Sequence, residues 1–153
     1  MKIEVGELKF SDELLSLRPI NPYFVSRYRL AMRNGDVFPK IIINKATKEI
    51  ICGNHRVKAY IDEFGEDYIL DVEVRDFTDE SSIIKCFALD NSKHGEALTD
   101  FQRRSIALKL SNLGTTPEEI AKIFGVAVKN VFKWGEQSVF VVGNAKTSAV
   151  HLS

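Results

Sequence analysis

Cysteine is nearly absent from this chain of 153 residues, which has only Cys52 and Cys86. Two thiols are too few for the disulfide framework of a small secreted domain. Each lies in an apolar run, so they read as reduced, half-buried side chains of a cytosolic protein. No apolar run approaches the roughly 20 residues that a membrane span needs, which excludes a spanning helix, and we expect no membrane partner. The opening MKIEVGELKF is too charged and too short for a secretory leader. Internal repeats and low-complexity linkers are lacking as well. We therefore expect a soluble, cytoplasmic protein whose length suffices for a core without disulfides or metal.

Net charge is also lacking, since 21 Lys/Arg balance 21 Asp/Glu. That argues against tight, unspecific binding of a polyanion by a monomer. The balance hides a segregation. Residues 1–100 carry 14 basic and 18 acidic side chains, a balance of −4. Residues 101–135 carry six basic ones (Arg103, Arg104, Lys109, Lys122, Lys129, Lys133) against Glu118 and Glu119, a balance of +4. A basic segment behind an acidic body is one form a small nucleic-acid reader takes.

Local patterns give a mixed α+β chain. Lys2 to Val5 alternates like a short strand. Asn21-Pro22 opens a helix, with Asn as cap and Pro at a position whose N–H would go unpaired, and Gly35 ends it. Ile41 to Ile43 and Glu49 to Cys52 read as a hairpin around Lys45-Ala46-Thr47. Val57, Tyr60, Ile61 and Phe64 recur at helical spacing before Gly65. ILDVEVR (69–75) alternates as one strand, and 80–90 reads as a helix that breaks at Asn91-Ser92-Lys93-His94-Gly95.

From there to about residue 134 the pattern is helical. Thr99 with Gln102 and Thr116 with Glu119 form two capping boxes. Ala121, Gly125 and Val131 stand where a helix-turn-helix needs a small contact residue, a residue tolerant of positive φ, and an aliphatic anchor. Val128 and Phe132 join Val131 as expected anchors of the second helix. Its exposed side then shows Lys129, Asn130 and Lys133; lysine suits phosphates, and asparagine pairs with an adenine edge. A plain helical hairpin that only packs has the same pattern.

Between strand and helix lies ICGNHR (51–56). A helix start offers unpaired N–H groups and partial positive charge. Gly53 admits close approach, and His55 and Arg56 add donors, so the stretch reads as a phosphate cradle. It reads equally as a glycine turn, an Asn cap and a surface arginine. It matches neither GxxxxGK[ST] nor GxGxxG.

In their order these motifs resemble the ParB/sulfiredoxin superfamily, and within it ParB-like proteins in which a nucleotide-binding domain precedes a helix-turn-helix. The stretches that carry the likeness are NGDVFP (with Gly35 and Pro39), Gly53-Asn54-His55-Arg56, NSKHGEALT (91–99) and IAKIFGVAVKNVFKW (120–134), within a span of about residues 15–134. The resemblance implies an α+β fold, a small mixed sheet with packed helices, followed by an all-helical helix-turn-helix segment. It implies a nucleoside triphosphate, CTP or ATP, bound with magnesium. Gly53, Asn54, His55 and Arg56 would cradle its phosphates, Asn91 would reach metal and phosphates, and His94 would stand beside it. It also implies a homodimer that closes around DNA when nucleotide binds, and slow hydrolysis that reopens it.

Departures from the family pattern remove charge from the site. Asn54-His55 stands where Glu-Arg is usual, Asp90 where Glu is usual, and His94 where Arg is common. In sulfiredoxin the box carries a nucleophilic cysteine where this chain has Asn54. A kinase of this fold needs a carboxylate base, and neither Glu49 nor Asp90 is singled out. No carboxylate or histidine cluster at metal spacing supports a nuclease. We expect no counterpart of the C-terminal dimerisation domain of partition proteins, which suits a plasmid- or phage-type relative.

We thus expect a nucleotide-binding domain at 1–96, a helix-turn-helix domain at 97–135, and a tail at 136–153 able to form a hairpin. The function expected is that of a partition or transcription regulator that binds DNA. The alternative is a nucleotide-dependent enzyme, a small-molecule kinase or NTPase, whose helical segment only packs.

Overall fold

Alternating Lys2–Glu4 and the apolar run at 41–43 do become strands, and each seeds a different sheet. The computed structural model describes residues 1–93 and 97–143. The chain divides into two units, Met1–Thr78 and Asp79 onward.

In the first unit, strand β1 (Lys2–Glu4) leads through a short 3-10 turn to helices α1 (Asp12–Leu17) and α2 (Pro22–Arg33). Then come β2 (Ile42–Asn44), β3 (Ile50–Cys52), α3 (Asn54–Phe64), β4 (Ile69–Asp71) and β5 (Glu73–Arg75). β1 pairs antiparallel with β4, with Ile3 opposite Leu70. β2 pairs antiparallel with β3 and parallel with β5, which gives the order β3-β2-β5.

The single strand expected over 69–75 is therefore two. The break falls at buried Val72, whose N–H donates to Met1 O at 2.7 Å, while the next N–H, of Glu73, donates to Ile41 O at 2.8 Å. One extended run thus serves two sheets. Ile3, Val5, Ile41, Ile43, Ile50, Val57, Leu70 and Val72 close the core between them. α2 lies against α3, with Val25 and Met32 packed on Ala59. Arg29 and Arg33 of α2 both reach Glu63 of α3, at 3.1 and 3.0 Å. α1 had no counterpart in the sequence reading; Ser11 caps it by accepting from Leu14 N–H at 3.3 Å.

The second unit is helical: α4 (Glu80–Lys93), α5 (Asp100–Asn112), α6 (Pro117–Phe124) and α7 (Val128–Gly143). Its boundary lies at 78/79, against the expected 96/97. α4 packs on α5 and α6 and buries Ile84, Phe87 and Ala88, so it belongs with the helices that follow it. Asn91 does not break α4, which runs through Lys93. The tail is corrected too: α7 continues through 136–143 as helix, so no hairpin forms there, and 144–153 lie outside the described residues. No helix among the described residues is long and apolar enough to cross a membrane.

Candidate functional site

Strand β3 ends at Cys52, and the chain must turn sharply to start α3. Gly53 makes the turn with φ +110° and ψ 28°, in the left-handed region that penalises any side chain. A Cβ there would also collide with Ile41 Cδ1 and stand 3.1 Å from Arg56 Nη2. Glycine is thus demanded by dihedral and by space. The space, however, is filled by the chain itself.

The three residues that follow are all buried. Arg56 turns back over Gly53 and donates from Nη1 to Pro39 O. Burial pushes the Tyr60 phenol pKa up, and the nearby Arg56 charge opposes that push. His55 accepts at Nε2 from Asn21 N–H, the cap residue of α2, at 2.9 Å. Its ring meets Phe24 edge-on at 5.5 Å. Burial first, and then the Arg18 charge, lower its pKa from 6.5 to about 4. His55 is therefore neutral at pH 7, with its proton on Nδ1. The sequence reading took the imidazole as a donor; here its Nε2 accepts and ties α2 to α3.

Asn54 is not the cap, which is Gly53; its Oδ1 is buried without a hydrogen-bond partner. A phosphate oxygen accepts, so it needs donors. Here the unpartnered atom is itself an acceptor, His55 Nε2 is an acceptor in use, Arg56 Nη1 is held by a carbonyl, and the bare face of Gly53 is covered. In this arrangement the contacts of His55, Arg56 and Gly53 are made with the chain itself.

Asn91 lies in the second unit, in the last turn of α4, where its Nδ2 donates to Phe87 O at 2.8 Å. His94 lies outside the described residues. Among the described residues no three His, Cys, Asp or Glu side chains come together to hold a metal.

The helix-turn-helix segment has the helices and the glycine turn that its sequence implies. Thr99 Oγ1 accepts from Gln102 N–H and Gln102 Oε1 accepts from Thr99 N–H, both at 3.1 Å, which closes the first capping box. The second is half made: Thr116 Oγ1 accepts from Glu119 N–H at 3.2 Å, while the Glu119 carboxylate pairs with Lys85 at 3.3 Å. Gly125 ends α6 at φ +67°, and Val126 N–H returns to Ala121 O at 3.0 Å. Three residues then separate α6 from α7. Ile120, Ala121 and Val131 are buried, while Lys129 and Lys133 are exposed and Asn130 is half-buried at the margin.

The backbone can be set beside known structures. It is similar to a crystal structure described as the C-terminally truncated chromosome-partitioning protein ParB from Caulobacter crescentus complexed to the centromeric parS site. The TM-score is 0.63, at 14% identity, over 94% of this chain and 78% of that one. The chain has a ParB-like fold. No family profile and no curated protein matches the sequence, so the likeness is carried by the backbone.

Within the ParB-like fold, one face of α7 differs from expectation. Of the three anchors expected, only Val131 is buried; Val128 and Phe132 are exposed. Trp134 takes their place, edge-on to Phe124 at 5.6 Å and under the Arg103 guanidinium at 5.6 Å. The signal was present in the sequence. Val131, Trp134 and Gly135 fall at i, i+3 and i+4, which sets the inward face and turns Phe132 out by about 100°.

Proposed function

We propose that this chain binds duplex DNA through its helix-turn-helix, with α7 as the reading helix. One observation carries the reading. Lys129 and Lys133 stand exposed one turn apart at the start of the second helix, beside Asn130, on a helix pair joined through left-handed Gly125. Among the described residues neither lysine has an ionic partner, so both ammonium groups are available to phosphates. The structural relative carrying this fold was crystallised on a DNA site, which supports the same use here. The role is that of a partition or transcription regulator of plasmid or phage type. A homodimer placing two α7 helices on two half-sites suits a chain of zero net charge, because two weak readers together give a specific one. The test is fluorescence anisotropy with duplex DNA over a salt series. Affinity should fall steeply with salt, and the triple variant Lys129→Ala, Asn130→Ala, Lys133→Ala should lose it. Equal binding by the triple variant ends the reading.

Nucleotide is a separate part of the proposal. The order of motifs supports CTP or ATP with magnesium at Gly53–Arg56, Asn91 and His94, while the inward contacts of His55 and Arg56 speak against it. Thermal shifts with CTP, ATP, GTP and UTP plus magnesium decide. No shift with any of them removes the nucleotide and leaves DNA reading standing.

A further inference from the structure

Two exposed side chains on α7 have no role in gripping phosphates. Val128 is 38% exposed and Phe132 47% exposed. They are four residues apart, so they form one stripe along the helix, about 6 Å from one to the other. Lys129 and Lys133 each follow by one position and therefore line one side of that stripe. Glu136, one turn beyond Phe132, is exposed on the same line. A carboxylate there repels phosphate, so the centre of the face does not suit the DNA backbone. The unit has apolar interior positions, as the buried Val131 and Trp134 show, yet it leaves a phenyl ring in water beside two lysines.

In the major groove only thymine offers a methyl group, and an apolar side chain is its natural contact. We propose that Val128 and Phe132 read thymine methyl groups in the major groove, while Lys129 and Lys133 hold phosphates of one flanking strand. The inference rests on α7 being the reading helix, and it names the chemistry of the site read. The spacing of the stripe matches roughly two base-pair steps, so the thymines lie within about two steps of each other.

The test starts from duplexes selected out of a random pool by the full chain. Each thymine of the selected site is then replaced by deoxyuridine, which removes only the methyl group. One or two positions should each weaken binding about fourfold, the value of one buried methyl-sized group. Phe132→Ala should bind thymine and uracil duplexes equally at the dominant position, with the salt slope kept because the lysines remain. Indifference of the unaltered protein to uracil at every position overturns the inference while leaving DNA reading intact. So does a Phe132→Ala variant that still discriminates. If instead Phe132→Ala converts a dimer to a monomer in sedimentation with discrimination unchanged, the stripe is a self-association surface and the inference fails. Absence of any salt-dependent DNA binding is the distinct result that removes the proposed function, and this inference with it.

Discussion

At the start of α3, Asn54, His55 and Arg56 are all buried, whereas at the start of α7, Lys129 and Lys133 stand in solvent. Both stretches follow a left-handed glycine and both concentrate polar side chains at a helix start. They differ in what the side chains touch. Arg56 and His55 hold the backbone of other elements, at Pro39 and Asn21, and so join the β2 approach and the α2 cap to α3. The α7 lysines hold nothing among the described residues. A glycine followed by donors is therefore ambiguous as a ligand signal. Whether the next residues face the core decides between a fastener and a binding surface. The contrast also predicts that substitutions in the first stretch cost stability and substitutions in the second cost binding.

The largest effect belongs to Gly53→Ala. A left-handed alanine costs about 1–2 kcal/mol, and the clash with Ile41 and Arg56 adds about 1–3. The expected loss is about 4 kcal/mol in urea unfolding. An Ala variant of unchanged stability would mean that the turn and the guanidinium above it are not packed as described.

Next in size is the pH dependence set by His55. Its folded pKa of about 4 lies below the ordinary 6.5, so the unfolded chain binds more protons between those two values. Stability is full above about pH 6.5, falls as pH drops through that window, and the loss levels off below pH 4, at about 3 kcal/mol. Protonation at Nε2 also removes the acceptor used by Asn21. Unfolding at pH 7 and at pH 4.5 should differ less for His55→Gln than for the unaltered chain. The same difference in both would place the titrating group elsewhere.

Smaller still are the two caps, which sharpen the contrast within the second unit itself. Thr99→Ala opens a capping box with both hydrogen bonds made and should cost about 1 kcal/mol. Thr116→Ala removes one bond and should cost about half of that. Reversal of that order by thermal unfolding would contradict the pairing of Glu119 with Lys85 in place of Thr116 N–H.

Much of the fold was legible because its signals are local. Asn21-Pro22, Thr99 with Gln102, and Gly125 each specify a helix end through their own backbone, and each end lies where its signal stands. The hairpin at 42–52 was legible for the same reason, with Asn44 Oδ1 accepting from Ala46 N–H in its turn. The split of 69–75 at Val72 was not, since it depends on Met1 and Ile41 arriving from distant sequence. The assignment of α4 to the helical unit depends likewise on its packing against α5 and α6, which follow it in sequence. The site was half legible. Residue types at 53–56 announce donors, but their direction is set by Pro39, Asn21 and Ile41. At α7 the lysines were found from helical phase, and Phe132 was missed because adjacent apolar residues were all assigned to one face.

The smallest effect on stability, and the sharpest test of the contrast, comes from Lys133→Ala. An exposed side chain without an ionic partner contributes little to folding, so the variant should unfold within about 0.5 kcal/mol of the original. The same change removes one phosphate contact, so the slope of log affinity against log salt should fall by about one. Lys129→Ala should do the same, and the double variant should add the two decrements if each lysine meets its own phosphate. Arg56→Ala should show the opposite pattern, a lowered midpoint of unfolding with an unchanged salt slope in whatever fraction stays folded. A Lys133→Ala variant that unfolds easily, or an Arg56→Ala variant that keeps its stability and changes the slope, would exchange the roles assigned to the two helix starts.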